Sequence, residues 1–247
     1  MTDNIKVKVR NMTKKFGDLL VLDDISFDVH KGEFLCIVGP TGCGKTTFLN
    51  CITKLYEPTS GEILVNNEPV NLKKHNVAYI FQEYSTMPWL TVEQNVAFGL
   101  EIKGVDKETI RREVDEVLEM VGLMDYRNYY PVELSTSMIQ RVVIARAFAT
   151  KPELLLMDEP YGQLDVELRF KLEDELLKLW KKTGTTVIFI THNIEEAVYL
   201  SENILVLTNK PTTIKRNLEN HLPRPRNVVD PEFVKVRNEV TELIKWW

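Results

Sequence analysis

The sequence predicts an α/β fold, with an α/β core built from both ends of the chain, an antiparallel β region at its start and a helical insertion in its middle. Three observations predict it. The stretch Gly39-Pro40-Thr41-Gly42-Cys43-Gly44-Lys45-Thr46-Thr47 follows a short apolar run, Phe34-Leu35-Cys36-Ile37-Val38, and precedes Phe48, Leu49, Ile52 and Leu55 at helical spacing. Short apolar runs recur at Val77 to Phe81, Leu154 to Met157 and Thr186 to Ile190, and read as buried strands. From Thr91 to Thr150 the pattern is mostly that of helices.

Bulk composition bounds the function. At 247 residues the chain suffices for one large or two small domains with ample core. A net charge of −5 argues against a general nucleic-acid binder. The cysteines are Cys36, Cys43 and Cys51; their odd number, and the place of Cys43 inside the glycine loop, point to free thiols in a reducing compartment. Met-Thr-Asp-Asn opens no apolar signal segment, and no run approaches the roughly 20 apolar residues that span a bilayer. The expectation is a cytoplasmic protein, held at a membrane, if it works there, by other chains.

Each element follows in order. Ile5 to Val9 alternates apolar and charged residues, as a half-exposed strand does. Leu19 to Val29 reads as further strand, broken at Asp23-Asp24. Pro58-Thr59-Ser60-Gly61 is a turn and Ile63-Leu64-Val65 a strand. Thr91 caps a helix through Ile102, and Asp106 caps the next, with an apolar stripe of Ile110, Val114, Val117, Leu118 and Val121. Pro131 interrupts, and a third helix runs from about Ser137 to Ala149. Val166 to Lys182 is amphipathic; Glu195 to Leu200 is a short helix and Ile204 to Leu207 a strand. The tail contains Leu222-Pro223-Arg224-Pro225-Arg226 and ends in a helix capped by Asp230-Pro231, with a seam of Phe233, Val236, Val240, Leu243 and Trp247. These readings divide one domain into a core, 1–83 and 151–212, a helical segment, 84–150, and a tail, 213–247.

The glycine loop fits GxxxxGK[ST]. Its glycines let successive N–H groups point at one anion, Lys45 adds a point charge for nucleotide phosphates, and Thr46 places a hydroxyl on a bridging Mg²⁺. Asp158-Glu159 ends an apolar strand. Neighbours at a strand end point to opposite sides, so one carboxylate supports the metal while the other faces an attacking water. Gln82 and His192 also end buried strands, where ligands of a parallel sheet gather. A lone histidine there is more often structural, and Phe16 alone reads as a core or turn aromatic.

Taken together and in this order, these elements resemble an ABC transporter ATPase subunit over nearly the whole length. The carrying residues are Gly39 to Thr47, Gln82, the signature segment Leu134-Ser135-Thr136-Ser137-Met138-Ile139-Gln140-Arg141, Asp158-Glu159, Asp165 and His192. By that resemblance Phe16 stacks on adenine, and the loop residues Gly39, Pro40, Thr41, Gly42, Cys43, Gly44, Lys45, Thr46 and Thr47 hold the ATP phosphates. Thr46 and Gln82 ligate Mg²⁺ with Asp158 in support, Glu159 is the general base and His192 contacts the γ-phosphate. Asp165 links two subunits, and Ser135, with Ser137, faces the ATP of the opposite subunit. The resemblance implies two ATPs between two chains, homodimeric or heterodimeric, closing and reopening to drive separate transmembrane permease subunits. A narrower resemblance, to importers of nitrate, taurine and sulfonates, is carried by Met87-Pro88-Trp89-Leu90-Thr91-Val92 with Asn95-Val96 and by His221 to Arg226 followed by Asp230-Pro231-Glu232-Phe233. There a periplasmic or surface solute-binding protein selects the solute, and no nucleic acid is involved. The alternatives are a weakly hydrolysing partner in a heterodimeric pair and a soluble ABC ATPase outside transport. The signature departs from Leu-Ser-Gly-Gly-Gln: Thr136 and Ser137 replace the glycines, which predicts strain at Thr136 if its backbone is left-handed, and Ser137 and Gln140 have capping-box spacing.

Overall fold

The computed structural model describes residues 4–162 and 164–244. Along the chain run β1 (Ile5–Phe16), β2 (Leu19–His30), β3 (Phe34–Val38), α1 (Lys45–Ile52), β4 (Ser60–Val65) and β5 (Glu68–Pro69). Next come β6 (Val77–Ile80), α2 (Val92–Ile102), α3 (Lys107–Met120), α4 (Thr136–Ala149), β7 (Leu154–Asp158) and α5 (Val166–Thr183). The chain closes with β8 (Thr186–Thr191), α6 (Ile194–Leu200), β9 (Asn203–Leu207), β10 (Ile214–Glu219) and α7 (Pro231–Ile244). Among the described residues, those up to His75 and from Thr186 onward form one compact unit and those from Asn76 to Thr185 another.

In the first unit β1 pairs antiparallel with β2 and with β4, in the order β2-β1-β4-β5. The expected break at Asp23-Asp24 does not end β2. Asp24, at φ 51, and Asn11, at φ 46, take left-handed conformations that suit these two residue types, and the Asn11 amide donates to Asp24 Oδ1 at 2.7 Å. The bulge is absorbed by side-chain hydrogen bonds and the strand continues. Gly61 is needed beside it: a Cβ there would stand 2.3 Å from the Asn11 carbonyl oxygen. A second layer of strands in this unit runs β10-β9-β3-β8, with β3 parallel to β8 and β9 and with β10 as an antiparallel edge. Every residue of β3 and β8 is buried, as a strand covered on both faces requires. β10 was not expected; its Ile-Lys-Arg-Asn-Leu-Glu is an edge sequence whose apolar residues are sparse.

In the second unit β6 and β7 pair in parallel, Val77 with Leu154 through Ile80 with Met157. Thr91 caps α2 and Asp106, accepting from the Thr109 N–H, caps α3, both as the sequence predicts; that Gln94 completes a reciprocal capping box with Thr91 is an addition. The third helix lies where the sequence predicts, but its cap differs from the Ser137 that the capping-box spacing suggests. α4 starts at Thr136, and its cap is Ser135, whose hydroxyl accepts from the Met138 N–H at 3.4 Å. Ser137 therefore lies in the first turn and is not the cap. Asp165 caps α5, accepting from the Leu168 N–H at 2.9 Å, and Gly184 ends that helix in the left-handed region. In the tail Phe233 and Val240 are buried and Val236 and Leu243 half-buried, as the seam predicts; Trp247 lies outside the described residues.

Candidate active site

In the first unit the pairing of Val38 with Thr191 sets the carboxyl ends of β3 and β8 side by side. The glycine loop leaves one of them and His192 leaves the other, so the sheet itself brings these two together. Gly44, at φ 115, sits at the start of α1; no side chain caps that helix and its first turn holds no acid. A Cβ on Gly44 would meet Val21 Cγ1 at 2.8 Å, so backbone conformation and space both call for glycine. A helix start of this kind turns N–H groups and the positive end of the helix dipole toward an anion. Lys45 is buried beside its own loop and donates to the carbonyls of Gly39 and Pro40 at 2.9 and 3.1 Å. Thr41, Gly42 and Thr46 are exposed, and Thr47 is half-buried.

The Cys43 N–H closes the loop onto the Pro40 carbonyl at 3.2 Å. Its thiol is buried, and burial raises its pKa, so it packs beneath the loop as a neutral group. Thr212, fully buried, donates its hydroxyl to the Cys43 carbonyl, and its own N–H donates to the Val21 carbonyl at 2.9 Å. That tie between loop and β2 carries no sequence signal. Phe16 ends β1 at 40% exposure; the Tyr56 ring meets it edge-on at 5.2 Å and the Lys14 ammonium lies 4.8 Å from its centroid. Tyr56 and Lys14 are additions that the sequence does not single out. His192 is exposed, just before α6, whose cap is Asn193.

In the second unit the pairing of Ile80 with Met157 sets the ends of β6 and β7 side by side. Gln82 follows one end, exposed, and Asp158-Glu159 stands at the other. Asp158 is buried, and the Tyr79 hydroxyl donates to its Oδ2 at 3.3 Å. Burial, and then the Asp158 charge, raise the Tyr79 pKa, so the phenol stays a donor. Glu159 is half-buried with φ 45. The pleat is thus not what separates the two carboxylates, as the sequence reading held: β7 ends at Asp158 and a left-handed residue turns the chain. Ser135, Ser137 and Asp165 sit at helix starts instead of strand ends, with the two serine hydroxyls 3.1 Å apart.

The residues from Ser85 to Thr91 are gripped from two helices. Arg146 of α4 donates to the Ser85 carbonyl and hydroxyl at 2.7 and 2.6 Å. The buried Asn95 amide accepts from the Met87 N–H at 2.8 Å and donates to the carbonyls of Met87, Leu90 and Thr91. Trp89 stands out of this ordered loop at 72% exposure.

Residues 22–162 match the family model described as ABC transporter. A relative in Bacillus cereus (strain ZK / E33L), an aliphatic sulfonates import ATP-binding protein, is 40% identical over 246 residues, covering 100% of this chain and 97% of its own. An uncharacterised ABC transporter ATP-binding protein of Methanocaldococcus jannaschii is 43% identical over 245 residues, covering 98% and 92%. Among solved structures, the dimeric bacterial ABC transporter cassette MJ0796 superposes with a TM-score of 0.76 at 32% identity, covering 88% of this chain and 100% of that one. The same cassette is known in a post-hydrolysis state bound to ADP and Pi. The chain belongs to the ABC transporter family.

As an ABC ATPase subunit it binds and hydrolyses ATP. None of its described helices is long and apolar enough to cross a membrane. The departure in the signature of this ABC subunit reads differently once placed. Thr136 is the first residue of α4, in helical conformation, so no left-handed strain arises there. What the two glycine replacements add is side-chain bulk at an exposed helix start.

Proposed function

We propose that this ABC ATPase powers import of a small solute, a sulfonate first and taurine or nitrate next, through separate membrane subunits. The observation that carries the proposal is the likeness to a sulfonate-import subunit over the whole length of the chain. Phe16 stacks on adenine, the amides at the start of α1 and Lys45 hold the phosphates, and His192 contacts the γ-phosphate. Glu159 accepts a proton from the attacking water, and Gln82 orients the reacting end. Two copies close on two ATPs: Ser135 and Ser137 of one face the nucleotide of the other, and Asp165 helps join them.

Thr46, Gln82 and Asp158 supply hydroxyl, amide and carboxylate oxygens, the hard donors Mg²⁺ takes. The Tyr79 hydroxyl holds Asp158 as a buried carboxylate, so the residues fit the ion. Among the described residues no cluster of three or more His, Cys, Asp or Glu side chains forms a cage. Mg²⁺ held here would be bound through these few oxygens together with phosphate oxygens and water. When bound, it neutralises charge on the phosphates. The partners are the permease subunits, docked beside Trp89, and indirectly a solute-binding protein; the working place is the cytoplasmic face of the membrane.

The test is turnover in proteoliposomes holding the ATPase with its membrane subunits. Sulfonate-loaded binding protein should raise ATP turnover several-fold above the empty binding protein. Equal rates with every loaded form, taurine and nitrate included, overturn the import reading.

A further inference from the structure

The tail motif Leu222 to Arg226 has no part in the chemistry above, yet its two arginines are turned inward. Arg226 is 8% exposed. Its guanidinium donates to the carbonyls of Val198, Tyr199, Ser201, Asn220 and Leu222 at 2.7 to 3.4 Å. Val198 and Tyr199 lie in the last turn of α6 and Ser201 is its C-cap. Carbonyls at a helix end have no partner inside the helix, and a cation there also meets the negative end of the dipole. Asn220 adds donors to the Val198 and Ser201 carbonyls at 2.8 and 3.1 Å, and Arg224 donates to the Leu200 carbonyl. Burial, then the charge of Arg224, lower the Arg226 pKa to about 10, which still leaves a cation at neutral pH.

The other end of α6 is the His192 end. Asn193 caps the helix, accepting from the N–H groups of Glu195 and Glu196 at 2.9 and 3.3 Å, and its own N–H donates to the Thr191 hydroxyl at 2.9 Å. α6 has 7 residues. A helix of that length spans about 10 Å and has no stability of its own. Its buried residues, Glu196 to Leu200, and what grips its ends set where it lies. The grip at the far end is the tail; at the His192 end Glu195 also pairs with Arg237 of α7 at 3.5 Å.

We infer that Arg226 is a positioning residue for His192: by clamping the C-terminal end of α6 it fixes the helix start that aims the imidazole. The inference rests on the reading of His192 as the γ-phosphate contact. Lysine is a poor substitute, because one ammonium cannot spread its donors over carbonyls that the planar guanidinium fork reaches together.

The experiment uses the full chain labelled with ¹³C-histidine. There are 4 histidines: His30, His75, His192 and His221. His192→Gln assigns the signal of interest, and His30 and His75 serve as references. Arg226→Met should shift or broaden the His192 signal, leave the references in place, and lower kcat by about ten- to a hundredfold with KM little changed, the scale of a misplacement near 1 Å. Arg226→Lys should fall between parent and Met variant in both readouts; it also carries the test if the Met variant does not fold. An unmoved His192 signal in the folded variants overturns the inference, whatever the activity does. His192→Ala, assayed alongside, tests the underlying reading by itself. Parent-level turnover in it overturns the γ-phosphate role, and with it any positioning for catalysis, while leaving the spectroscopic result to report on the clamp alone.

Discussion

At Glu159 the backbone turns left-handed, with φ 45, at the point where the strand carrying Asp158 ends. Glutamine in that place keeps the shape and the backbone demand of glutamate and loses only the base. Glu159→Gln should therefore retain ATP binding, lower turnover by roughly 10²- to 10⁴-fold, and accumulate an ATP-bound dimer visible by size-exclusion chromatography. Parent-level hydrolysis would remove Glu159 from the mechanism. Thr136 poses the opposite question, since its backbone is ordinary helix and only its side chain departs from the family pattern. If that bulk keeps a partner's nucleotide at a distance, Thr136→Gly with Ser137→Gly should raise turnover. Glycines in the first turn should also cost stability, up to about 1 kcal/mol each. A melting temperature that falls while turnover stays at an ordinary 1–10 per second, roughly the usual enzyme range, would show that the signature works as it stands.

Among the elements, the Met87 to Thr91 loop is the clearest case of a surface held rigid from below. Asn95 orders it with bonds to three of its carbonyls and one N–H, and Trp89 projects from it. Trp89→Ala should leave melting temperature and nucleotide affinity unchanged while weakening assembly with the permease subunits by about 2 kcal/mol, the size of an aromatic anchor. Loss of ATP binding with assembly intact would reverse that assignment. The tail helix α7 buries Phe233 and Val240. Deleting the chain from Asp230 onward removes that packing but spares Arg226. The two side chains alone are worth about 3–6 kcal/mol, so the melting temperature should drop by roughly 5–20 °C while control of turnover by solute persists. Solute-insensitive turnover in the truncated protein would mark the tail as an inhibitor. Much of this was legible in the sequence because it is local. Thr91 and Asp106 announce their helices, the apolar runs at β3, β7 and β8 can only be buried strands, and the glycine loop names its own chemistry. What stayed hidden is contact between residues distant in sequence: Thr212 on the Cys43 carbonyl, Tyr79 on Asp158, Tyr56 against Phe16 and Arg226 on α6. The bulge at Asn11 and Asp24 hid for the same reason, since either residue alone reads as a strand break.

For the molecule as a whole, the candidate site residues fall in two compact units of one chain, and each proposed ATP site is completed by a second chain. One unit holds the glycine loop and His192; the other holds Ser135 and Ser137. In a two-fold dimer of the proposed kind, each ATP meets the loop of one copy and the signature helix of the other. That arrangement makes a prediction that no single-chain site shares. Lys45→Ala disables both loops of a homodimer, and Ser135→Arg disables both signature helices, so each variant alone should be nearly inactive. Mixed in equal amounts and allowed to exchange, half of the dimers pair one variant with the other. In those, one site combines both defects, while the second combines the intact loop of the Ser135→Arg copy with the intact signature of the Lys45→Ala copy. Turnover should recover to at most about a quarter of the parent value, because half of the dimers carry one good site of two. Recovery should rise and fall with the mixing ratio and peak at equal amounts. If the mixture stays as inactive as its parts, although a tagged variant pulls down the other in the presence of ATP, the signature serves its own chain and the sandwich is wrong.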